Sequence, residues 1–165
     1  MKTLLLLRHA KSSWDDPALR DFERPLNERG LHAAPLVGRF IARRKLRPDL
    51  VLSSPAERAR QTAALVAEAA RLAAPLRFDE RIYEATPARL VEVVSQVEES
   101  VATLLLVGHN PGMEELIELL TGETRRMPTA ALARLALDTD KWARLREGTG
   151  RLEELIKPKD LTTED

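Results

Sequence analysis

The run "TLLLL", Thr3 to Leu7, followed at once by "RHA", constrains this chain more than any other stretch. A continuous apolar run, without the alternation of a half-exposed strand, suits a strand covered by helices on both faces. In such sheets ligands collect just beyond the carboxyl ends of the strands, which is where Arg8 and His9 stand. A histidine beside an apolar run is most often a structural residue, so His9 alone establishes nothing. Its position raises the question of whether other strands end on polar residues at the same edge.

Further strand-like runs are Leu50–Ser53, Leu76–Phe78 and Thr103–Val107, with weaker ones at Ala133–Leu137 and Leu152–Ile156. Helical patterns lie between them. Asn27 can cap a helix running to about Lys45, with an apolar stripe of Leu31, Ala34, Leu36, Val37, Phe40 and Ile41. Pro55 suits the first turn of an alanine-rich helix to about Ala73. Thr86-Pro87 opens a third helix through Val97, and Pro111 a fourth through Leu120, closed by Gly122. This alternation predicts a three-layer α/β/α sandwich with a mainly parallel central sheet. The stretch from Leu132 to Ile156 reads as two strands joined by an irregular connection.

Several function classes drop out on composition. The 165 residues fit one domain, 1–165, and no repeat or low-complexity linker divides them. With 26 basic and 26 acidic residues, no broad attraction to nucleic acid or to an anionic membrane is expected. The leucine run breaks at Arg8, too short for a signal peptide or a membrane span, so a cytoplasmic protein is expected. Cysteine is absent, which excludes a disulfide, a thiolate nucleophile and a cysteine metal site. The three histidines, His9, His32 and His109, show no metal-ligand spacing, so no metal and no other cofactor is expected.

The strand ends then point to one another. "VLSSPAERARQTA" leaves its strand at Ser53 and enters a helix carrying Arg58 and Arg60. "LLLVGHNPGMEEL" leaves at Val107 and sets Gly108, His109 and Asn110 before a helix. An arginine on a helix is usually solvated, and "GHN" can be a mere turn. Two histidines and two arginines brought to one sheet edge nevertheless make a phosphate site with a nitrogen nucleophile conceivable. Arg60, two residues from Arg58, falls on another side of its helix.

These residues resemble a known family. "RHA" (Arg8–Ala10), "SSPAERARQT" (Ser53–Thr62) and "GHN" (Gly108–Asn110) are similar to the signatures of the histidine phosphatase superfamily, with its phosphoglycerate mutase-like fold. "DFERPLNERG" (Asp21–Gly30) resembles the short bacterial SixA-type phosphohistidine phosphatases. The resemblance implies that His9 is the nucleophile taking the phosphoryl group, with Arg8, Arg58 and His109 holding its oxygens. A neutral imidazole is a competent nucleophile near pH 7, and fixed guanidinium groups can stabilise the spread phosphoryl charge without a metal ion. Arginine's planar fork suits that task better than lysine.

Glu84 in "RIYEA" matches the place where larger relatives keep a general acid; the plain reading is a solvated loop glutamate. Ser12, three residues after His9, can donate to phosphate. Asp15 stands where many relatives have an asparagine that contacts phosphate, and its charge would repel a dianion. Asp21 and Arg24 read as a pair fixing their own loop, and His32 as a surface residue. Phe78 to Thr86 carries almost no insertion, so a minimal lid and an open cleft are expected. An open cleft favours a phosphohistidine-bearing protein as substrate. The alternatives are a phosphatase of small phosphoesters or phosphoanhydrides, or an inactive module binding a phosphorylated ligand. A nucleotide-binding module lacks its glycine-rich loop.

Overall fold

The computed structural model describes residues 1–161. Six strands form one sheet: β1 (Lys2–Arg8), β2 (Leu50–Ser53), β3 (Leu76–Phe78), β4 (Thr103–Gly108), β5 (Leu132–Leu137) and β6 (Gly150–Ile156). Their order is β3-β2-β4-β1-β5-β6. The first four strands in sequence run parallel, whereas β5 is antiparallel to both β1 and β6. The mainly parallel sheet and the two C-terminal strands therefore stand as the sequence predicts.

Four helices cover the sheet: α1 (Glu28–Arg43), α2 (Glu57–Ala70), α3 (Pro87–Ser95) and α4 (Gly112–Thr121). Successive side chains of β1 point to opposite faces. Leu5 and Leu7 join Ala34, Val37 and Ile41 of α1 and Ala59, Ala63 and Val66 of α2. Leu4 and Leu6 join Leu90 and Val93 of α3 and Met113 and Leu116 of α4. All four leucines are fully buried, and truncating any one to alanine costs about 2–5 kcal/mol. The apolar run is thus a strand wanted on both sides, and the fold is the expected three layers.

The caps are largely those read from the sequence. Asn27 accepts from the Gly30 amide at 2.9 Å, and Thr86 accepts from the Arg89 amide at 3.1 Å ahead of Pro87. Gly122 closes α4 at φ +79°. Helices α1 and α3 end two residues earlier than expected, at Arg43 and Ser95, and α2 differs at both ends. Pro55 precedes α2, whose cap is Ala56, and the helix stops at Ala70 because Arg71 turns left-handed at φ +54°. Leu31, expected in the buried stripe of α1, is 47% exposed. The first-turn contact falls on Gly30 instead, where a Cβ would lie 2.2 Å from the Lys11 carbonyl oxygen. Its neighbour is turned about 100° away from that contact.

Candidate active site

The register of the sheet brings the three strand ends together. Arg8 pairs with Gly108 across β1 and β4, and Ser53 with Val107 across β2 and β4. Beyond the strands the ladder continues for one residue: the His9 amide donates to the Gly108 carbonyl and the Ser54 amide to the Val107 carbonyl, each at 3.0 Å. Thr62 of α2 ties the first loop down, accepting from the Ala10 amide at 3.0 Å and donating to the Arg58 carbonyl at 2.7 Å. The Ala130 amide is shared between the carbonyls of Arg8 and His9. The His9 backbone is therefore bonded through both its amide and its carbonyl.

The rings of His9 and His109 lie with centroids 5.1 Å apart, and both residues are buried. His9 Nδ1 is 2.7 Å from the Ala10 carbonyl oxygen. A carbonyl only accepts, so Nδ1 carries the hydrogen and Nε2 keeps its lone pair. Burial drives the His9 pKa down to about 4; the Ala10 bond opposes the shift, and Arg58, Arg8 and Arg24 add to it. His109 falls to about 3, again through burial first and then the neighbouring His9 and Arg58. Both rings are neutral at pH 7. His109 Nε2 lies 2.7 Å from Ser54 Oγ, and its Nδ1 is buried with no partner among the described residues.

Both predicted arginines reach this place. Arg8 Nη1 donates to the Met127 carbonyl at 3.0 Å, and its Nε is buried without a partner among the described residues. Arg58 donates through Nη1 to the Asp21 backbone carbonyl at 2.7 Å and through Nη2 to Asp21 Oδ2 at 2.9 Å; its Nε is likewise unbonded. The Asp21 carboxylate also accepts from Tyr83 Oη at 2.6 Å and from Arg24 Nε and Nη2 at 3.2 and 3.1 Å. Burial opposes its ionisation, but the bonds from Tyr83, Arg58 and Arg24 outweigh that and hold its pKa at about 2. The Tyr83 hydroxyl is pushed up to about 12, by burial and by the same carboxylate.

The Asp21–Arg24 pair does more than fix its own loop. It carries that loop to Arg58, across 37 residues of sequence. The sequence alone marks none of Asp21, Tyr83, Ser54 and the Met127 carbonyl as a site group. Asp21 opens the stretch "DFERPLNERG", and Tyr83 is the chain's one tyrosine. Nothing local in Ser54 or Met127 marks them.

The remaining candidates fall as follows. Ser12 is buried and its Oγ accepts from Arg24 Nη1 at 2.8 Å. Asp15 is exposed. Glu84 is exposed, sits at φ +53° in the left-handed region, and lines a cleft of about 450 Å³ together with Asp21, Arg58, Tyr83, His109 and Glu115. Its loop is pressed against α4: a Cβ on Gly112 would lie 2.5 Å from the Ala85 carbonyl oxygen. Only the short turn Glu80–Ile82 intervenes between Phe78 and Thr86, so this connection adds no inserted element over the cleft. Arg60 points away and pairs with Glu57, and His32 is exposed. Among the described residues, no three His, Asp or Glu side chains are grouped as a bound metal ion would require, and no helix is long and apolar enough to cross a membrane.

A mainly parallel sheet with two histidines and two arginines at its carboxyl edge has the donors and charge that suit a phosphoryl group, and comparison with known proteins identifies the family. The profile of the histidine phosphatase superfamily (branch 1) matches residues 4–100. The chain belongs to that superfamily. An uncharacterized protein of Mycobacterium tuberculosis is 34% identical over 157 residues, covering 88% of this chain and 96% of that one. The crystal structure of a candidate phosphohistidine phosphatase SixA from Agrobacterium tumefaciens superposes with a TM-score of 0.82 at 34% identity, covering 95% of this chain and 98% of that chain. The protein histidine phosphatase SixA complexed with tungstate superposes with a TM-score of 0.78 at 25% identity, covering 96% and 98%.

Proposed function

We propose that this chain, acting as one domain, is a metal-independent phosphatase that carries the phosphoryl group transiently on His9, and that its substrate is a phosphohistidine on another protein. The observation supporting this most is the His9 tautomer. Its Nδ1–H is engaged by the Ala10 carbonyl, its Nε2 lone pair is free, and burial keeps the ring unprotonated. Nε2 attacks phosphorus, the bond to the leaving group breaks, and a phosphohistidine forms. Water then attacks that phosphorus, releasing inorganic phosphate and restoring neutral His9.

Arg8 and Arg58 supply the positive charge that the phosphoryl oxygens need as the transition state forms. His109 contributes a donor: with the Ser54 hydroxyl donating to Nε2, Nδ1 carries a hydrogen for a phosphoryl oxygen. Ser12 accepts from Arg24 and so keeps its own O–H for the same group. The short connection from Phe78 to Thr86 and the SixA likeness support a protein-borne phosphohistidine. Imidazole, with a conjugate acid near pKa ~6.5, departs with little help. The second reading, a phosphatase of small phosphoesters, is favoured by Glu84, whose place on the cleft wall suits an acid for a basic leaving group.

One assay tests the proposal. A protein phosphorylated on histidine, an aryl phosphate, an alkyl phosphate and a nucleotide are compared by kcat/KM with EDTA present. Turnover unaffected by EDTA, and highest on the phosphohistidine protein, is expected. No turnover of the phosphohistidine protein, or loss of activity with EDTA, contradicts it.

A further inference from the structure

We infer that the leaving-group side of this cleft selects by charge, accepting phosphoryl groups carried on neutral or cationic leaving groups and disfavouring those carried on acids. The inference rests on the phosphatase reading and specifies its substrate class. Arg58 is 6% exposed and His109 9% exposed, both line the cleft, and each keeps a buried ring or guanidinium nitrogen without a partner among the described residues. That marks the cleft as a ligand site by an observation independent of its carboxylates.

The charges on the wall are unequal. Arg58 is the one cation lining the cleft among the described residues, and it is already paired with Asp21. Glu84 and Glu115 are exposed on the same wall, and neither forms an ion pair among the described residues. A phosphoryl dianion uses the positive charge of Arg8 and Arg58, so any further negative charge on the leaving group meets Glu84 and Glu115 with no cation to offset it. Of the other cations near this sheet edge, Arg24 is buried and already bonded to Asp21, Ser12 and the Ser13 carbonyl, while Lys11, Arg29, Lys157 and Lys159 line a separate cavity of about 210 Å³. Glu115 also lies in the first turn of α4, where a carboxylate suits the helix dipole, but that role does not require it to face the cleft.

The test uses two aryl phosphates of matched shape, 4-carbamoylphenyl phosphate and 4-carboxyphenyl phosphate. The ratio of their kcat/KM values is measured on the wild-type chain and on Glu115→Gln, at low ionic strength and in ~0.5 M salt. Intrinsic reactivity cancels when the ratio is compared between conditions. The wild-type ratio should favour the carboxamide by roughly tenfold at low salt, the scale of like charges interacting near a surface. It should fall several-fold in Glu115→Gln, and in wild type at high salt. A wild-type ratio that neither the substitution nor salt moves overturns the inference while leaving the phosphatase reading intact. Absence of turnover on every substrate, the phosphohistidine protein included, overturns that reading and the inference with it.

Discussion

Strand β1 carries a cation at each end, and the two ends are built differently. At the amino end Lys2 is buried, and its Nζ donates to the carbonyls of Glu99 at 2.6 Å and Val101 at 2.9 Å. Trp142 Nε1 donates to the same Val101 carbonyl at 2.8 Å, and Asp49 Oδ2 accepts from the amides of Ala102 and Thr103. At the carboxyl end, Arg8 Nε, Arg58 Nε, His109 Nδ1 and Asn110 Oδ1 are buried with no partner among the described residues. A buried polar group left unbonded costs about 1–3 kcal/mol, and four of the six such atoms among the described residues gather at this one edge, where a bound ligand can answer them. The amino end spends its polar groups on the fold. The carboxyl end holds its groups in reserve for an anion.

That difference is open to test from both sides. Arg58→Ala should lower kcat/KM by a factor on the order of 10² to 10³, the loss seen when one preorganised donor to a transition state is removed. Asp21 keeps its bonds to Arg24 and Tyr83 in that variant, so the fold should survive. Lys2→Met should do the reverse. With the Glu99 carbonyl and one bond to Val101 left unanswered, it should cost about 1–3 kcal/mol of stability, a loss of several degrees in Tm, and leave kcat/KM within about twofold. Thermal melts and steady-state kinetics on both variants decide the matter. Comparable activity losses at the two ends would dissolve the distinction.

A further effect concerns pH. His9 and His109 have folded pKa values of about 4 and about 3, below the ~6.5 of an unfolded histidine. Between those limits the unfolded chain binds protons that the folded chain refuses, so stability is full above pH ~6.5 and falls as the pH drops toward 4 and then 3. Urea unfolding at pH 7 and pH 5 should show the loss, and His9→Asn should shrink it. An unchanged pH dependence in that variant would remove His9 from the account.

Much of this was legible locally. Continuous apolar runs announced two-sided strands, and the residues ending β1, β2 and β4 could be read off because parallel neighbours bring their carboxyl ends to one edge. Asn27, Thr86 and Gly122 declare their roles through short-range hydrogen bonds or backbone freedom. The bonds around Asp21 could not be read the same way, because the partners Arg58 and Tyr83 stand 37 and 62 residues away and only tertiary packing selects them. Leu31 misled for a related reason: its spacing fits the stripe, but the close approach of Gly30 to Lys11 sets which side of the first turn is covered.

The central claim is that His9 Nε2 takes the phosphoryl group, and trapping it is the most direct measurement. The chain is mixed with a labelled phosphohistidine protein or aryl phosphate, quenched rapidly without acid, and the modified residue mapped by mass spectrometry. A phosphate that is acid-labile and base-stable, located on His9 and absent from His9→Ala, is the predicted result. Phosphate trapped on another residue, or a His9→Ala chain that turns over at close to the wild-type rate, would contradict it.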